Sequence, residues 1–239
     1  MKIWFITLKP DLTIDTIILT VTAIILYRTA RIMKRGNDEN AILNRVQAAE
    51  NTIFKQIEFH NSLLKAITVL SREGYVHGQD AFKFMYNELQ KIYHRMPGNA
   101  YKHPSDIDAE INRIKDSFFQ LYREYGNTFG NYFKNLYLLV KYIDDRANDT
   151  SLKGFQGDYY INLIKSQLSK YEILLLAYDC IWIQDKPKGE NFIELAKRNN
   201  LLSALETEDL FQSVSNVTHI ELLKVRYGID FEHARAFTN

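Results

Sequence analysis

The chain has little of what most catalytic or extracellular domains of its size rely on. A single cysteine, Cys180, excludes an intramolecular disulfide and any cysteine-built zinc site, and it sits in the apolar run ILLLAYDCIWI, as a buried thiol does. Ten glycines and four prolines in 239 residues leave few obligatory turns, and no segment alternates strictly between polar and apolar residues, so an all-α fold is expected. Charge of one sign is also missing. The 30 basic and 29 acidic residues give a net charge of +1, so nucleic acid is not expected as a partner. P-loop, glycine-rich dinucleotide, nucleophile-elbow and HExxH patterns are all absent. No cofactor is expected, and no histidine or carboxylate pair at i and i+4 points to a metal.

What is present is a globular composition, 46% hydrophobic and 13% aromatic, with one unusual stretch near the start, LTIDTIILTVTAIILYRTARIMKR. From Leu12 to Tyr27 the only charge is Asp15, and a helix over these residues spans roughly 24 Å against a hydrocarbon core of about 30 Å. Continuing through Arg28 and Arg31 to Met33 lengthens it to roughly 33 Å, because cationic side chains can snorkel to headgroups. Nine Leu, Ile and Val residues contribute roughly −3 to −5 kcal/mol toward insertion, and Asp15 lies one turn from the end, where the helix dipole favours it. The expectation is a membrane-anchor helix over residues 1–35, with Leu12, Asp15, Ile18, Thr20, Ile24, Tyr27, Arg28 and Arg31 as its characteristic residues. Basic residues after the run place the C-terminal part in the cytoplasm, as a single-pass inner-membrane protein with membrane lipids as partners. Thr13, Thr16 and Thr20 fall along one helix face and offer a means of self-association.

Beyond Gly36 a long helix is expected from about Asp38 to Leu70. Its seam runs Ile42, Val46, Ala49, Ile53, Ile57, His60, Leu64, Ile67, a coiled-coil-like stripe with one irregularity of register. Such a stripe serves either as a core-facing face within one chain or as a dimerising stalk. GYVHGQ reads as a loop. Further helices are expected from Asp80 to Arg95, from a Ser105 cap to Tyr125, from Asn131 to Arg146 after a break at GNTFGN, and from Asp158 to Gln184. Shorter helices are expected near Asn191 to Asn199, Glu206 to Ser213 and Val217 to Tyr227. The domain plan is therefore an anchor at 1–35, a connector at 36–74 and a helical-bundle cytoplasmic domain at 75–239.

Chemistry is sparse. Arginine followed within several residues by histidine, the pattern of helical HEPN-type ribonucleases, occurs at Arg72 to His77 and Arg226 to His233, close to what chance supplies. Asp144 and Asp145 are adjacent, so on a helix they diverge by about 100° and form no convergent acid pair. His60 and Asn61 lie on or beside an apolar seam. Gln167, Ser169, Tyr171 and Glu172 stand at the mouth of the most apolar helix, where retained polar groups need partners from the fold or from a ligand. These six residues form the candidate polar cluster; no catalytic or metal-binding residue is assigned.

The ordered segments FHNSLLKAI (Phe59 to Ile67), HGQDAFKFM (His77 to Met85), YFKNLYLLVKYID (Tyr132 to Asp144) and QLSKYEILLLAYD (Gln167 to Asp179) resemble the AbiC-like phage abortive infection family over roughly residues 55–200. The resemblance implies a bacterial or prophage-encoded antiphage protein: an N-terminal anchor, a coiled-coil-like connector and a helical domain that responds to infection and arrests or kills the cell. It brings no established catalytic residues. Members commonly carry two N-terminal membrane helices where this chain offers one short candidate. A homo-oligomer or a defence-system partner protein, and a phage-derived trigger, are the partners it implies. A helical nuclease and an adaptor for another defence component are the competing functions.

Overall fold

The computed structural model describes residues 14–96, 107–183 and 189–205, with Leu210, His219, Leu222 and Leu223. Its first element is one helix of 53 residues, α1 (Ile14–Ala66), which runs through Gly36 without a break. A glycine inside a helix costs only about 1 kcal/mol, too little to end a helix that the residues on both sides favour. The anchor and connector expected as separate helices are thus halves of one rod.

The anchor itself is not supported. Among the described residues no helix is long and apolar enough to cross a membrane. The physical reason is the brevity of the uncharged run, which from Thr16 to Tyr27 spans about 18 Å before Arg28 and Arg31 interrupt it. The single-pass inner-membrane placement and the transmembrane helix that followed from it fall with the anchor. Leu12 lies outside the described residues. Asp15 is in the first turn of α1, and Ile18, Thr20, Ile24, Tyr27, Arg28 and Arg31 are exposed along it.

The fold is also not purely helical. After α1 the chain makes an antiparallel hairpin, β1 (Thr68–Ser71) and β2 (Gly74–His77), pairing Val69 with Val76 and Leu70 with Tyr75. The β-branched run Ile67-Thr68-Val69 disfavours helix, and Gly74 takes φ +129°, which closes the Arg72-Glu73 turn. Val69 is buried, so this short sheet is stapled to the core through one side chain.

Next come α2 (Gly78–Arg95) and α3 (Ile107–Ala147). The latter fuses the two helices expected on either side of GNTFGN. Gly126 and Gly130 do not break it. A Cβ at Gly126 would lie 2.9 Å from the Tyr122 ring, so this glycine makes room for an aromatic side chain within the helix. The expected Ser105 cap lies outside the described residues.

The helix expected from Asp158 to Gln184 is instead two, α4 (Gly157–Gln167) and α5 (Lys170–Ile183), separated at Leu168-Ser169. Then α6 (Gly189–Arg198) follows. Of the later expected helices, Glu206–Ser213 and Val217–Tyr227 lie largely outside the described residues.

α5 is buried on every side from Glu172 to Ile181, packed against α2, α3 and α6. α3 is the second axis, touching α1, α2, α4 and α5. α1 joins this core only through its C-terminal half, where Ile53 and Ile57 are buried in the main cluster and Val46 and Ala49 pack with Leu152 and Phe155.

Gly157 opens α4 directly against α3, and a Cβ there would sit 2.6 Å from Ala147 Cβ. Gly157→Ala is therefore expected to lower unfolding stability by about 1–3 kcal/mol, read as a reduced denaturant midpoint at unchanged slope.

Candidate functional site

The break between α4 and α5 creates the site. Ser169 precedes α5 and Glu172 lies in its first turn, and the two exchange bonds: Ser169 N donates to Glu172 Oε2 (2.7 Å) and Glu172 N donates to Ser169 Oγ (3.4 Å). This is a capping box, with two otherwise orphaned backbone donors satisfied reciprocally. Glu172 is 1% exposed, and its other oxygen, Oε1, accepts the hydroxyl of Tyr132 from α3. Burial, with the Glu172 carboxylate beside it, pushes the Tyr132 phenol far above its ordinary pKa, so it remains a donor at any physiological pH.

The same tyrosine meets α1. The His60 ring lies on the Tyr132 ring, centroids 4.2 Å apart, and His60 Nδ1 donates to Asn135 Oδ1 at 3.1 Å. One residue on, Asn61 Nδ2 donates to Gln167 Oε1 at 3.3 Å, reaching the end of α4. Thus α1 meets α3 through His60 and Asn135 and α4 through Asn61 and Gln167, while Tyr132 ties α3 to the start of α5. His60 Nε2 and, one turn earlier on α1, Gln56 Oε1 are buried without a hydrogen-bond partner. Burial draws the His60 pKa down to about 4, against the smaller opposing pull of the Asn135 bond, which makes the imidazole neutral at pH 7.

Of the six residues in the candidate cluster, His60, Asn61, Gln167, Ser169 and Glu172 are brought together directly or through Tyr132 and Asn135. Tyr171 is not; it packs beside Tyr86 of α2, with Lys83 Nζ 5.9 Å from its ring centroid. Asp144 and Asp145 diverge as their adjacency requires. Asp144 accepts from Arg198 of α6 (2.8 Å) while Asp145 pairs with Lys141. His77 is in the hairpin, where its Nδ1 is 2.9 Å from Thr68 Oγ1, and Arg226 and His233 lie outside the described residues.

A second buried polar chain escaped the sequence reading. Tyr93 of α2 donates to Glu110 Oε1 of α3, His219 Nε2 lies 2.8 Å from the same oxygen, and Tyr178 of α5 lies 2.9 Å from His219 Nδ1. One neutral tautomer satisfies all of it, with Nε2–H donating to Glu110 and the Tyr178 hydroxyl donating to Nδ1. Arg113 donates to the carbonyls of Tyr93 (3.0 Å) and Met96 (2.9 Å) beside it. The signal was Glu110, Arg113 and Ser117 at i, i+3 and i+7, polar residues on a face that an amphipathic α3 buries. The partner His219 has no such signal, because its pairing spans 109 residues.

Residues 124–210 match the family model described as putative phage abortive infection protein. Over these residues the chain is similar to the phage abortive infection family. The resemblance drawn from its sequence segments is borne out over this range, which encloses Tyr132, Asn135, Gln167, Ser169 and Glu172. No curated protein and no solved structure matches the chain. The matched segment therefore contains the α3, α4 and α5 residues of the site, and α1 supplies His60 and Asn61 from outside it.

Two stability measurements follow. His60 is neutral in the folded chain down to about pH 4 but takes up a proton near pH 6.5 once unfolded, so its contribution is complete above that value and declines as pH falls toward 4. The loss amounts to about 3 kcal/mol, and in His60→Gln the fall in stability between pH 6.5 and 4 should be shallower by that amount. Tyr132→Phe leaves a buried carboxylate oxygen short of a donor and should cost about 1–3 kcal/mol in denaturant titration.

Proposed function

We propose that the protein is an abortive infection effector that acts without catalysing a reaction, by relaying an infection signal through the junction between α1 and the family-matched helices. The observation that supports this reading is the division of the polar network. Its α3, α4 and α5 members lie inside the matched segment, and its remaining members, His60 and Asn61, lie on a rod that extends well beyond the domain. A phage-derived trigger that rearranges the Tyr132–Glu172 contact would change how α1 is held, because Tyr132 touches both.

The chemistry of the junction fits a mechanical role. Glu172 is occupied as a helix cap, Tyr132 is fixed as its donor, and His60 is neutral and stacked; each group is committed to holding a neighbour. The unpartnered His60 Nε2 and Gln56 Oε1 give a second arrangement something to gain, since each would acquire a bond if a donor entered. Growth arrest or death of the infected cell would follow from altered contacts between the protein and its partner.

Infection of cells expressing the chain tests this. The expected result is at least a tenfold fall in phage plating, with the infected cells themselves failing to form colonies. Gln167→Ala and Asn61→Ala, both partly exposed, should lose that protection while circular dichroism stays that of the parent, and His77→Ala should keep it. Full protection by both junction variants would exclude the relay, and infected cells that survive and divide would exclude abortive infection.

A further inference from the structure

We infer that the groove between α3, α5 and α6 is a binding site for a guanine nucleotide. Its α3 wall follows from sequence spacing, because Tyr122, Gly126, Gly130 and Lys134 recur every fourth residue and so run along one side of the helix. The Tyr122 ring lies over Gly126 and its hydroxyl extends to Gly130, where an added Cβ would stand 3.5 Å from Oη. With no side chain at Gly130, backbone and an aromatic ring form the floor, an arrangement that admits close approach of a ligand. Asp179 and Trp182 of α5 and Phe192 of α6 stand across from this wall. They bound an open cavity of about 540 Å³, a size that holds small ligands.

Aromatic rings supply most of the lining. Trp182 lies against Tyr122, centroids 4.5 Å apart and planes at 34°, and Phe192 meets Tyr137 edge-on. Such rings offer faces and edges to a flat heteroaromatic body, and every nucleobase has a face to stack.

Selection among bases comes from the carboxylate. Asp179 is 9% exposed, so it stands in the groove largely away from bulk water. It has contacts of its own within the fold, and the roughly four lone-pair sites of a carboxylate leave it able to accept from a ligand as well. An acceptor-only group favours a base with adjacent donors, which guanine presents in its ring N1–H and its 2-amino group. Adenine and cytosine set a ring-nitrogen acceptor beside their amino group, and uracil flanks its N–H with two carbonyls. Each of these turns a lone pair toward the carboxylate and leaves it unpaired.

The length of the groove suits the rest of the nucleotide. α5 runs antiparallel to α3 here, since Tyr132 bonds Glu172 and Tyr122 packs on Trp182. By the same offset Asp179 is level with about residue 125, and Lys134 lies roughly 13 Å further along the α3 axis. Lys134 is exposed on the groove wall, where its ammonium is a point charge for a phosphate. With both side chains reaching inward, one nucleotide touches both. A phosphate loop is not required, because rings and a carboxylate hold the base while the phosphates face solvent.

Binding is read in the full chain carrying Trp4→Phe, which leaves Trp182 as its only tryptophan. Guanosine diphosphate should quench Trp182 fluorescence saturably at micromolar concentration, with a Kd at least tenfold below those of the adenosine, cytidine and uridine diphosphates. Asp179→Asn should reverse the choice: its amide accepts from N1–H and donates to a 2-carbonyl, so xanthosine diphosphate should then bind at least tenfold tighter than guanosine diphosphate. A misfolded chain does not gain binding in this way. Lys134→Glu should weaken guanosine diphosphate at least fivefold and leave guanosine unchanged. Gly130→Leu, a better helix former that fills the floor, should abolish quenching with circular dichroism intact. No saturation at millimolar guanosine diphosphate, equal affinity for all four diphosphates, or saturation by tetramethylammonium alone overturns the inference. An Asp179→Asn chain that keeps the parent's preference overturns it equally. Because binding is measured instead of protection, the outcome is independent of the proposed relay.

Discussion

The carboxylate of Glu172 is the constraint on which the core depends. A buried charge is tolerated only where hydrogen bonds replace its water, and Glu172 obtains them from the Ser169 backbone, the Tyr132 hydroxyl and the positive end of the α5 dipole. α5 needs such a fixture more than an ordinary helix would. Because its residues are apolar on all sides, burial of hydrophobic surface favours no particular rotation about its axis. Two polar pins remove that freedom: Glu172 to Tyr132 at its start, and Tyr178 to His219 two turns later. With α5 fixed, α2, α3 and α6 pack around it in one arrangement.

The same logic extends outward to α1. Hydrophobic contacts at Ile53 and Ile57 supply most of the attraction for its docking, but a row of aliphatic side chains tolerates sliding by a turn. Hydrogen bonds from His60 to Asn135 and from Asn61 to Gln167 do not, since a shift of one turn strands four polar groups at once. The polar junction therefore sets position while the apolar seam supplies adhesion. Such a joint is stable in one geometry and, with Gln56 and His60 each holding an unmet acceptor, it is not the arrangement with every polar group satisfied.

Much of this was legible in the sequence, for identifiable reasons. The helical class and the central position of the ILLLAYDCIWI segment follow from composition and run length, and the candidate cluster follows from polar residues left at an apolar boundary. Ser169 and Glu172 fall inside the single helix expected from Asp158 to Gln184, yet S-K-Y-E is a capping box, a signal that splits that helix in the right place. Gly36, Gly126 and Gly130 were given too much weight as breakers, because a lone glycine is a small penalty against a long favourable helix. The hairpin was hidden by its shortness, four residues a strand, with Val69 its one buried residue pointing to the core. Tyr132 and Asn135 as the partners of Glu172 and His60 required the fold, since 40 and 75 residues separate them in the chain.

The misjudged anchor shows how the same residues support two structures according to which axis is considered. Along the chain, LTIDTIILTVTAIILY is a hydrophobic run, and run length is the criterion for a bilayer, which surrounds a helix and demands apolar residues on every side. Around the helix, the residues from Ile18 to Met33 divide into an uncharged half and a half that carries Arg28 and Arg31, and a partner helix covers only one side. A segment of this apolar length fails the bilayer criterion and stands as an amphipathic stretch of one long helix. Its threonines fit the same account. Thr22 and Thr29 alternate with isoleucines at seven-residue spacing, and an α-helical threonine can return its hydroxyl to its own backbone carbonyl.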